Sequence, residues 1–305
     1  MTHVLVFGAS GFIGRHVRDA LIQDGRVDRV TTPGRNRLDL LAAEVDELAS
    51  LLRRLAPDVV VNCTGRLDGT AYQLLRANTL VPAKLVDAIA DVDPAIRLIR
   101  LGSAGEYGPV PHGHAVTEDD QAAPVGDYGL SHLAATRLLE LARAAGRADA
   151  VTLRVFNPIG PGLRDENLLG RAAARLRDAV ATGADFITMG PLSPYRDFLD
   201  ARDLGRAVVA AALAPTLPAA VINVGSGRAV PARTAVELLA EAAGFRGELR
   251  EERTTPSRSA TVDWMLADIS RAVEVLGWRP THELADSTKA IWAAMAPDGR
   301  AEDRA

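Results

Sequence analysis

A glycine-rich turn near the start of the chain constrains its fold more than any other feature. The run HVLVF is short, β-branched and apolar, GASGFIG follows it, and RHVRDALIQDG then continues with helical spacing. This order predicts a β-turn-α unit. Backbone N–H groups at the positive end of such a helix can bind a pyrophosphate, so the turn predicts a dinucleotide site. The predicted cofactor contacts here are Gly8, Ser10, Gly11, Phe12, Ile13 and Gly14.

The same alternation continues along the first half of the chain. Four strand-like segments alternate with three helix-like segments. The strand-like segments are VDRVTT, DVVVNCTG, IRLIRLGS and VTLRVFN, and the helix-like segments between them are EVDELASLLRRLA, NTLVPAKLVDAIA and GLSHLAATRLLELARAAG. Strands separated by helices predict an α/β fold with a doubly wound parallel (Rossmann) sheet over residues 1–155. Beyond this the pattern loosens. We expect a smaller mixed α/β substrate lobe over residues 156–295, with segments returning to the first domain, and a polar, flexible tail over residues 296–305.

Charge and hydropathy exclude several classes of function. The 305 residues carry a net charge of -4 and contain no Lys/Arg-rich run, which argues against a nucleic-acid partner. No window approaches 18 uninterrupted apolar residues and the N-terminus lacks a basic leader, so we expect a cytoplasmic protein without a membrane partner. Cys63 is the single cysteine. It lies in an apolar run, where we expect a small buried side chain beside the cofactor rather than a nucleophile.

The segment after the second strand bears on the choice of cofactor. An acid there binds the ribose 2'-hydroxyl of NAD, whereas an arginine accommodates the 2'-phosphate of NADP. TTPGRNR contains no acid, and Asp28 stands at the start of the predicted strand. Arg35, with Arg37 as the second choice, favours NADP, and NAD stays open.

Several motifs together resemble one enzyme family. The G-x-x-G-x-x-G spacing is similar to that of short-chain dehydrogenases/reductases. Six further segments resemble, in their order and spacing, the motifs of the extended NDP-sugar epimerase/dehydratase family. They are LGSAGEYG, TEDDQAAPVGDYGLSH, LRVFNPIGPG, YRDFLDARDLGRAV, VINVGSG and DISRAVEVLGWRP. Within it, the GDP-4-keto-6-deoxymannose reductases look most similar. The resemblance implies NAD or NADP as cofactor, a nucleotide-diphosphate sugar as substrate, and a homodimer formed through the tyrosine-bearing helix and its neighbour.

The resemblance also implies roles for individual residues. Ser103 matches the family's catalytic Ser/Thr, and Tyr128 matches its catalytic tyrosine. Asn78 matches the helix asparagine that supports the site, and Asp39 with Leu40 matches the Asp-hydrophobic pair that meets the adenine. The positions at which the family binds the diphosphate and sugar are Asn157, Arg196 and Arg258. We also count Asn78 among the cofactor contacts. The acidic pair that the family's dehydratases need is replaced by Ala104 and Gly105, which disfavours dehydration. His112 and His114 match no third metal ligand and are expected to be solvated, without a metal.

One position departs from the family's pattern. The lysine four residues after the tyrosine is His132 here, one helical turn from Tyr128. In the family this lysine holds the nicotinamide ribose and lowers the tyrosine's pKa. Histidine is mostly neutral at pH 7, so we expect Tyr128 to keep a pKa of roughly 10 and to donate protons more readily than it accepts them.

The chemistry that follows is reduction of a 4-keto group, with His132 holding the ribose directly or through water. A His132→Lys variant should then raise alcohol oxidation more than ketone reduction. Two alternatives stay open: an epimerase with transient or no net redox, and a non-catalytic protein that binds a dinucleotide or nucleotide sugar.

Overall fold

The computed structural model describes residues 1–252 and 262–295. The strands are β1 His3–Phe7, β2 Arg29–Thr31, β3 Val59–Asn62, β4 Arg97–Ser103, β5 Asp149–Val155, β6 Pro158–Ile159, β7 Phe186–Met189, β8 Tyr195–Asp197, β9 Leu199–Asp200, β10 Val221–Val224, β11 Ala229–Pro231 and β12 Glu248–Glu251. The α-helices are α1 Phe12–Gln23, α2 Val45–Leu55, α3 Ala71–Leu75, α4 Val81–Val92, α5 Asp127–Ala144, α6 Leu168–Thr182, α7 Ala201–Leu213, α8 Ala232–Ala242, α9 Ser270–Leu276 and α10 Leu284–Ala293.

A six-stranded sheet in the order β10-β5-β4-β3-β1-β2 forms the centre of the described chain. All of its neighbouring strands pair in parallel. The α/β, doubly wound prediction is therefore confirmed. The chain reverses its direction of travel across the sheet at β1, between β2 and β3. Ligands of such sheets bind at the carboxyl ends of the strands near this switch point.

Apolar residues cover both faces of the sheet, as a buried parallel sheet requires. On one face, α1 and α7 pack with β-strand side chains around Val17, Leu21 and Leu204. On the other face, α2, α4 and α5 pack around Leu48, Leu85 and Leu139. The carboxyl ends of the strands remain as the edge at which polar side chains can gather.

The second half of the chain contributes to two cores. Its strand β10 pairs with β5 and extends the central sheet, and α7 lies against α1. A separate apolar cluster joins α6, α8 and α10 with β7. We retain residues 156–295 as a proposed nucleotide-sugar lobe and residues 1–155 as a proposed dinucleotide domain.

The helix that carries Asn78 begins earlier than the sequence pattern predicts. It starts at Ala71 as α3, where the Thr70 hydroxyl accepts a hydrogen bond from the Gln73 N–H, and passes through a π-helical turn over Arg76–Leu80 before α4. Such wide turns are rare and often occur at functional sites. Among the described residues, no helix is both long and apolar enough to span a bilayer.

Candidate active site

The glycine turn forms a cradle that only glycines can build. Gly8 has φ = +78°, and a Cβ on Gly14 would lie 1.9 Å from the Gly8 carbonyl oxygen. The Gly11 N–H donates to that same oxygen at 3.0 Å and closes the turn. The start of α1 therefore approaches β1 closely, with backbone exposed where a phosphate would approach. These observations fit a dinucleotide.

A cavity of about 290 Å³ opens at the switch point of the sheet. It lies at the carboxyl ends of β1, β2 and β3. Of the predicted cofactor residues, its lining includes Gly8, Ser10, Arg35, Asp39 and Leu40. Other predicted contacts lie elsewhere: Ile13 packs against the main core, Phe12 packs edge-on to His16, and Arg37 lines a neighbouring surface pocket.

Two further arginines line this cavity, and the sequence analysis missed both. Arg18 projects from the second turn of α1, and Arg66 lies in the loop after β3. Arg18 is ion-paired with Asp19 at 2.7 Å on the surface. Its position four residues after Gly14 on the phosphate-binding helix was the available signal. With Arg35, the cavity mouth carries three arginines and fits a polyanionic ligand.

Cys63 follows β3 beside the glycine cradle. A Cβ on Gly8 would lie 2.9 Å from the Cys63 carbonyl carbon, so the two backbones are in contact. Burial raises the pKa of the Cys63 thiol to about 12. The side chain is thus protonated at neutral pH, and only a thiolate would act as a nucleophile.

Asn78 fastens the loop after β3 to the tyrosine-bearing helix. Its side-chain oxygen accepts from Arg66 N–H at 2.8 Å, and its amide donates to the Arg66 carbonyl and to Ser131 Oγ, both at 3.0 Å. Ser131 in turn donates to the Tyr128 carbonyl at 2.8 Å. The amide is only 2% exposed. These bonds suit a supporting role, with the amide groups engaged inside the protein.

Ser103 ends β4 and caps the short 3-10 turn that follows. Its hydroxyl accepts from Gly105 N–H at 3.1 Å, while Glu106 accepts from the Ser103 N–H at 3.0 Å. A Cβ on Gly105 would lie 3.3 Å from Ser103 Oγ and 3.4 Å from Tyr128 Cε1. The hydroxyl and the phenol ring therefore flank the same glycine, close enough to act on one substrate group.

Tyr128 is the second residue of α5, and His132 follows one turn later on the same face. The ring centroids lie 4.6 Å apart with an interplanar angle of 53°. His132 is only 7% exposed. Burial, and then the positive charge of Arg100, hold the pKa of His132 well below its ordinary value of 6.5. The expectation of a neutral histidine agrees with this environment.

Behind the histidine lies a buried ionic cluster formed by Arg100, Glu106, Arg154 and Thr136. Arg100 Nη2 contacts His132 Nδ1 at 2.9 Å, and Arg100 Nη1 donates to the Thr136 hydroxyl at 3.0 Å. Glu106 accepts from Arg154 Nε at 2.9 Å and from the Thr136 hydroxyl at 2.8 Å. Arg100 and Arg154 are each 2% exposed and Glu106 is fully buried.

The sequence analysis missed both arginines of this cluster. The signal was present: in IRLIRLGS and VTLRVF, arginines interrupt strands that are otherwise apolar. An arginine in a central strand must find a buried partner because an unpaired buried charge is costly. Glu106, in the turn that follows β4, is that partner.

Two of the three predicted substrate residues are among the described residues, Asn157 after β5 and Arg196 in β8, and neither lines the 290 Å³ cavity. Asn157 follows β5 with φ = +26° and donates to the Asp197 carbonyl at 2.8 Å. Arg196 donates to the carbonyls of Tyr195 and Val262, and desolvation lowers the pKa of its guanidinium. Arg258 lies outside the described residues.

The two histidines of HGH lie at the surface, with His112 exposed and the His114 side chain 40% exposed, and both also contact neighbouring side chains. The His112 ring packs against Trp264 and Tyr195, with centroids 4.3 and 5.2 Å away. His114 contacts Asp120 at 3.1 Å. Within residues 1–252 and 262–295, no group of three or more His, Cys, Asp or Glu side chains is arranged to hold a metal ion.

Comparison with known proteins places the chain in a family. The NAD dependent epimerase/dehydratase family matches residues 4–225. The dTDP-6-deoxy-L-talose 4-dehydrogenase (NAD(P)(+)) of Kitasatospora kifunensis is 36% identical over 96% of this chain and 95% of its own length. The GDP-6-deoxy-D-mannose reductase of Pseudomonas aeruginosa is 28% identical over 94% of this chain and 95% of its own.

A solved structure agrees with these similarities. RMD from Pseudomonas aeruginosa, complexed with NADPH, superposes with a TM-score of 0.84 at 26% identity, covering 96% of this chain and 98% of that one. The chain belongs to the NAD dependent epimerase/dehydratase family, and the resemblance read from its motifs is confirmed. It is an enzyme of this family with NAD or NADP as cofactor.

Proposed function

We propose that this member of the NAD dependent epimerase/dehydratase family is a nucleotide-sugar oxidoreductase that reduces the 4-keto group of an NDP-4-keto-6-deoxyhexose. The observation that carries the proposal is the 36% identity, along 96% of the chain, with a dTDP-6-deoxy-L-talose 4-dehydrogenase. The GDP-6-deoxy-D-mannose reductase is also named for redox chemistry on a nucleotide-linked 6-deoxysugar. Ser103 and Tyr128 beside Gly105 support the same chemistry.

The chain's own residues suit ketone reduction. Bound nicotinamide would supply the hydride. Ser103 Oγ, fixed at the end of β4, orients the keto oxygen, and Tyr128 donates its phenolic proton to the oxygen as the alcohol forms. Gly105 leaves room for both groups on one side of the substrate. Ala104 and Gly105 provide no acid or base, which argues against removal of water.

His132 stands where the family has its lysine, and we extend the proposal to this position. With Nδ1 facing Arg100, the ring keeps its proton at Nε2 and has a donor for the nicotinamide ribose. Asn78 would support this site through Ser131 rather than through contact with the cofactor.

The substrate and cofactor ends of the site are proposed from charge and position. Arg196 and Arg258, with Asn157, would bind the diphosphate and sugar, because a guanidinium can pair with phosphate oxygens twice. Arg35 lines the cavity after β2, where we propose that it favours NADP by meeting the 2'-phosphate. Asp39 and Leu40 would meet the adenine.

An exposed apolar face supports a homodimer. On α5, Leu130 and Leu141 are 51% and 65% exposed, and on the neighbouring α3 Tyr72 is 68% exposed. Large apolar side chains clustered at a surface mark an interaction site. We propose that a second copy of the chain covers this face.

The function is tested by incubating the protein with NADPH or NADH and a panel of GDP- and dTDP-4-keto-6-deoxysugars, and following nicotinamide absorbance. Stoichiometric consumption of reduced cofactor is expected. Tyr128→Phe should lower turnover roughly 10²- to 10⁴-fold with little change in cofactor affinity. Tyr72→Phe is the matched control, since it removes a phenolic hydroxyl from an exposed side chain of α3 and keeps the apolar ring on the proposed dimer face.

Two results would contradict the proposal. Conversion of the sugar without net cofactor consumption would indicate an epimerase. Cofactor binding without turnover on any sugar of the panel would indicate a non-catalytic binding protein.

A further inference from the structure

The hydrogen bond between Arg100 and His132 fixes the state of the histidine ring. Arg100 Nη2 lies 2.9 Å from His132 Nδ1, and both side chains are buried. A guanidinium has donors and no acceptor, so Nδ1 must accept and cannot carry a proton. The ring is therefore neutral, with its proton at Nε2. A protonated ring would present N–H toward N–H across this contact.

The positive charge that a lysine would carry at position 132 is carried instead by the buried ionic cluster behind His132. Arg100 and Arg154 contribute two positive charges, and Glu106 contributes one negative charge, 2.9 Å from Arg154 Nε and 3.8 Å from Arg100 Nη1. The cluster thus has a net charge of about +1, from two guanidinium groups and one carboxylate. Besides His132, which Arg100 contacts directly, the charged or titratable groups that act on Arg100 are Glu106, Tyr128 and Arg154.

We propose that Arg100 is a positioning residue for Tyr128: it holds His132 as the neutral Nε2–H tautomer and supplies, from β4, the buried positive charge that lysine would otherwise supply from α5. The proposal rests on the proposed function in that Tyr128 exchanges the proton with substrate. It replaces the expectation that Tyr128, beside a neutral histidine, keeps its ordinary pKa.

The consequence concerns the ionised form of the phenol. A fixed cation stabilises tyrosinate relative to phenol and so promotes alcohol oxidation as well as ketone reduction. Removing the cation should shift the titration of Tyr128 to higher pH. Each unit of that shift lowers the tyrosinate population at neutral pH about tenfold.

Nuclear magnetic resonance of the cofactor-free protein tests the tautomer and the titration directly. Protein labelled with 15N-histidine and with 13C at the tyrosine Cζ is compared with Arg100→Met, using His132→Asn and Tyr128→Phe to assign the signals. We expect an unprotonated Nδ1 in the native protein at neutral pH, as the contact with Arg100 requires. In Arg100→Met the Tyr128 titration should move up by about one unit.

Arg97→Met is the matched control. Arg97 begins the same strand at its opposite end, about 20 Å from Ser103 at the usual rise per residue, and its partner Asp149 is also held by Arg143. Its loss should leave Tyr128 unchanged. An equal response to Arg97→Met and Arg100→Met, or a protonated Nδ1 in the native protein, would overturn the proposal. These readouts need no substrate, so they stand even if the proposed reaction is wrong.

A double-variant cycle provides the enzymatic test. His132→Lys alone places an ammonium group beside Arg100, whereas Arg100→Met with His132→Lys restores a single cation. Arg100→Met should lower alcohol oxidation at neutral pH about tenfold and move its pH profile upward, and the double variant should recover most of this loss. If Arg100→Met does not fold, Arg100→Lys, which keeps the charge, should retain the native profile. A double variant no more active than the poorer single variant would refute the proposal.

Discussion

Acidification should destabilise the protein through His132, and the size of the effect follows from the buried geometry. Because burial and Arg100 depress the pKa of His132 in the folded state, the unfolded chain takes up its proton first as pH falls. The stabilising contribution is fully present above the unfolded value of 6.5 and is lost as pH falls below it, toward the folded pKa.

The linkage relation gives the expected magnitude. Each unit by which the folded pKa of His132 lies below 6.5 contributes about 1.4 kcal/mol of unfolding free energy, which is lost as pH falls through that interval. His132→Asn removes the titration and keeps an acceptor, because Asn Oδ1 can replace Nδ1 opposite Arg100. The variant should therefore lose less stability than the native protein between about pH 7.5 and about pH 5.5, by up to about 1.4 kcal/mol for each unit of the shift.

Urea unfolding at the two pH values, followed by tryptophan fluorescence, measures the difference. His3 and His16, whose pKa values burial also lowers, are present in both proteins and cancel in the comparison. If native protein and variant lose the same stability on acidification, or the variant loses more, His132 is not held neutral and the reasoning fails.

Three further predictions concern the cofactor and the supporting contacts, and one concerns assembly. Gly14→Val should abolish NADPH binding in calorimetry, since even a Cβ would lie 1.9 Å from a backbone oxygen. Arg35→Ala should raise KM for NADPH about tenfold and leave KM for NADH within about twofold, from a charge-assisted contact of about 1.5 kcal/mol. Asn78→Leu should cost about 1–3 kcal/mol in urea unfolding by leaving buried partners unpaired. Leu141→Asp should convert the proposed dimer to a monomer in ultracentrifugation; unchanged mass would exclude that face.

The fold was predictable because its signals are local and repeated. Strand-like and helix-like patterns alternate over the first half of the chain, and each pattern follows from burial on both faces of a parallel sheet. The glycine cradle was also predictable, since Gly14 must meet the backbone at Gly8. The start of the Asn78 helix was not, because Thr70 caps a segment whose apolar periodicity is weak.

The sequence nominates site residues mainly where its motifs match those of the family, and these assignments stay predictions. Ser103, Tyr128 and Asn78 lie near one another, although sequence separates them widely. Arg100 and Arg154 were missed because periodicity identifies a buried strand but not which buried side chain is charged. Both arginines pair with Glu106. This pairing is a tertiary contact between β4, β5 and the turn after β4.

The pair Arg100 and His132 explains why lysine would be a poor choice at position 132 in this chain. A lysine ammonium about 4 Å from the Arg100 guanidinium would repel it by about 4 kcal/mol at an effective dielectric constant of 20. Lysine has donors only, whereas histidine accepts at Nδ1 and still donates at Nε2. Histidine can therefore sit between a buried arginine and a nucleotide ribose. Under the proposal, His132 and Arg100 act as one unit: the histidine donates at Nε2, and the arginine in β4 carries the positive charge.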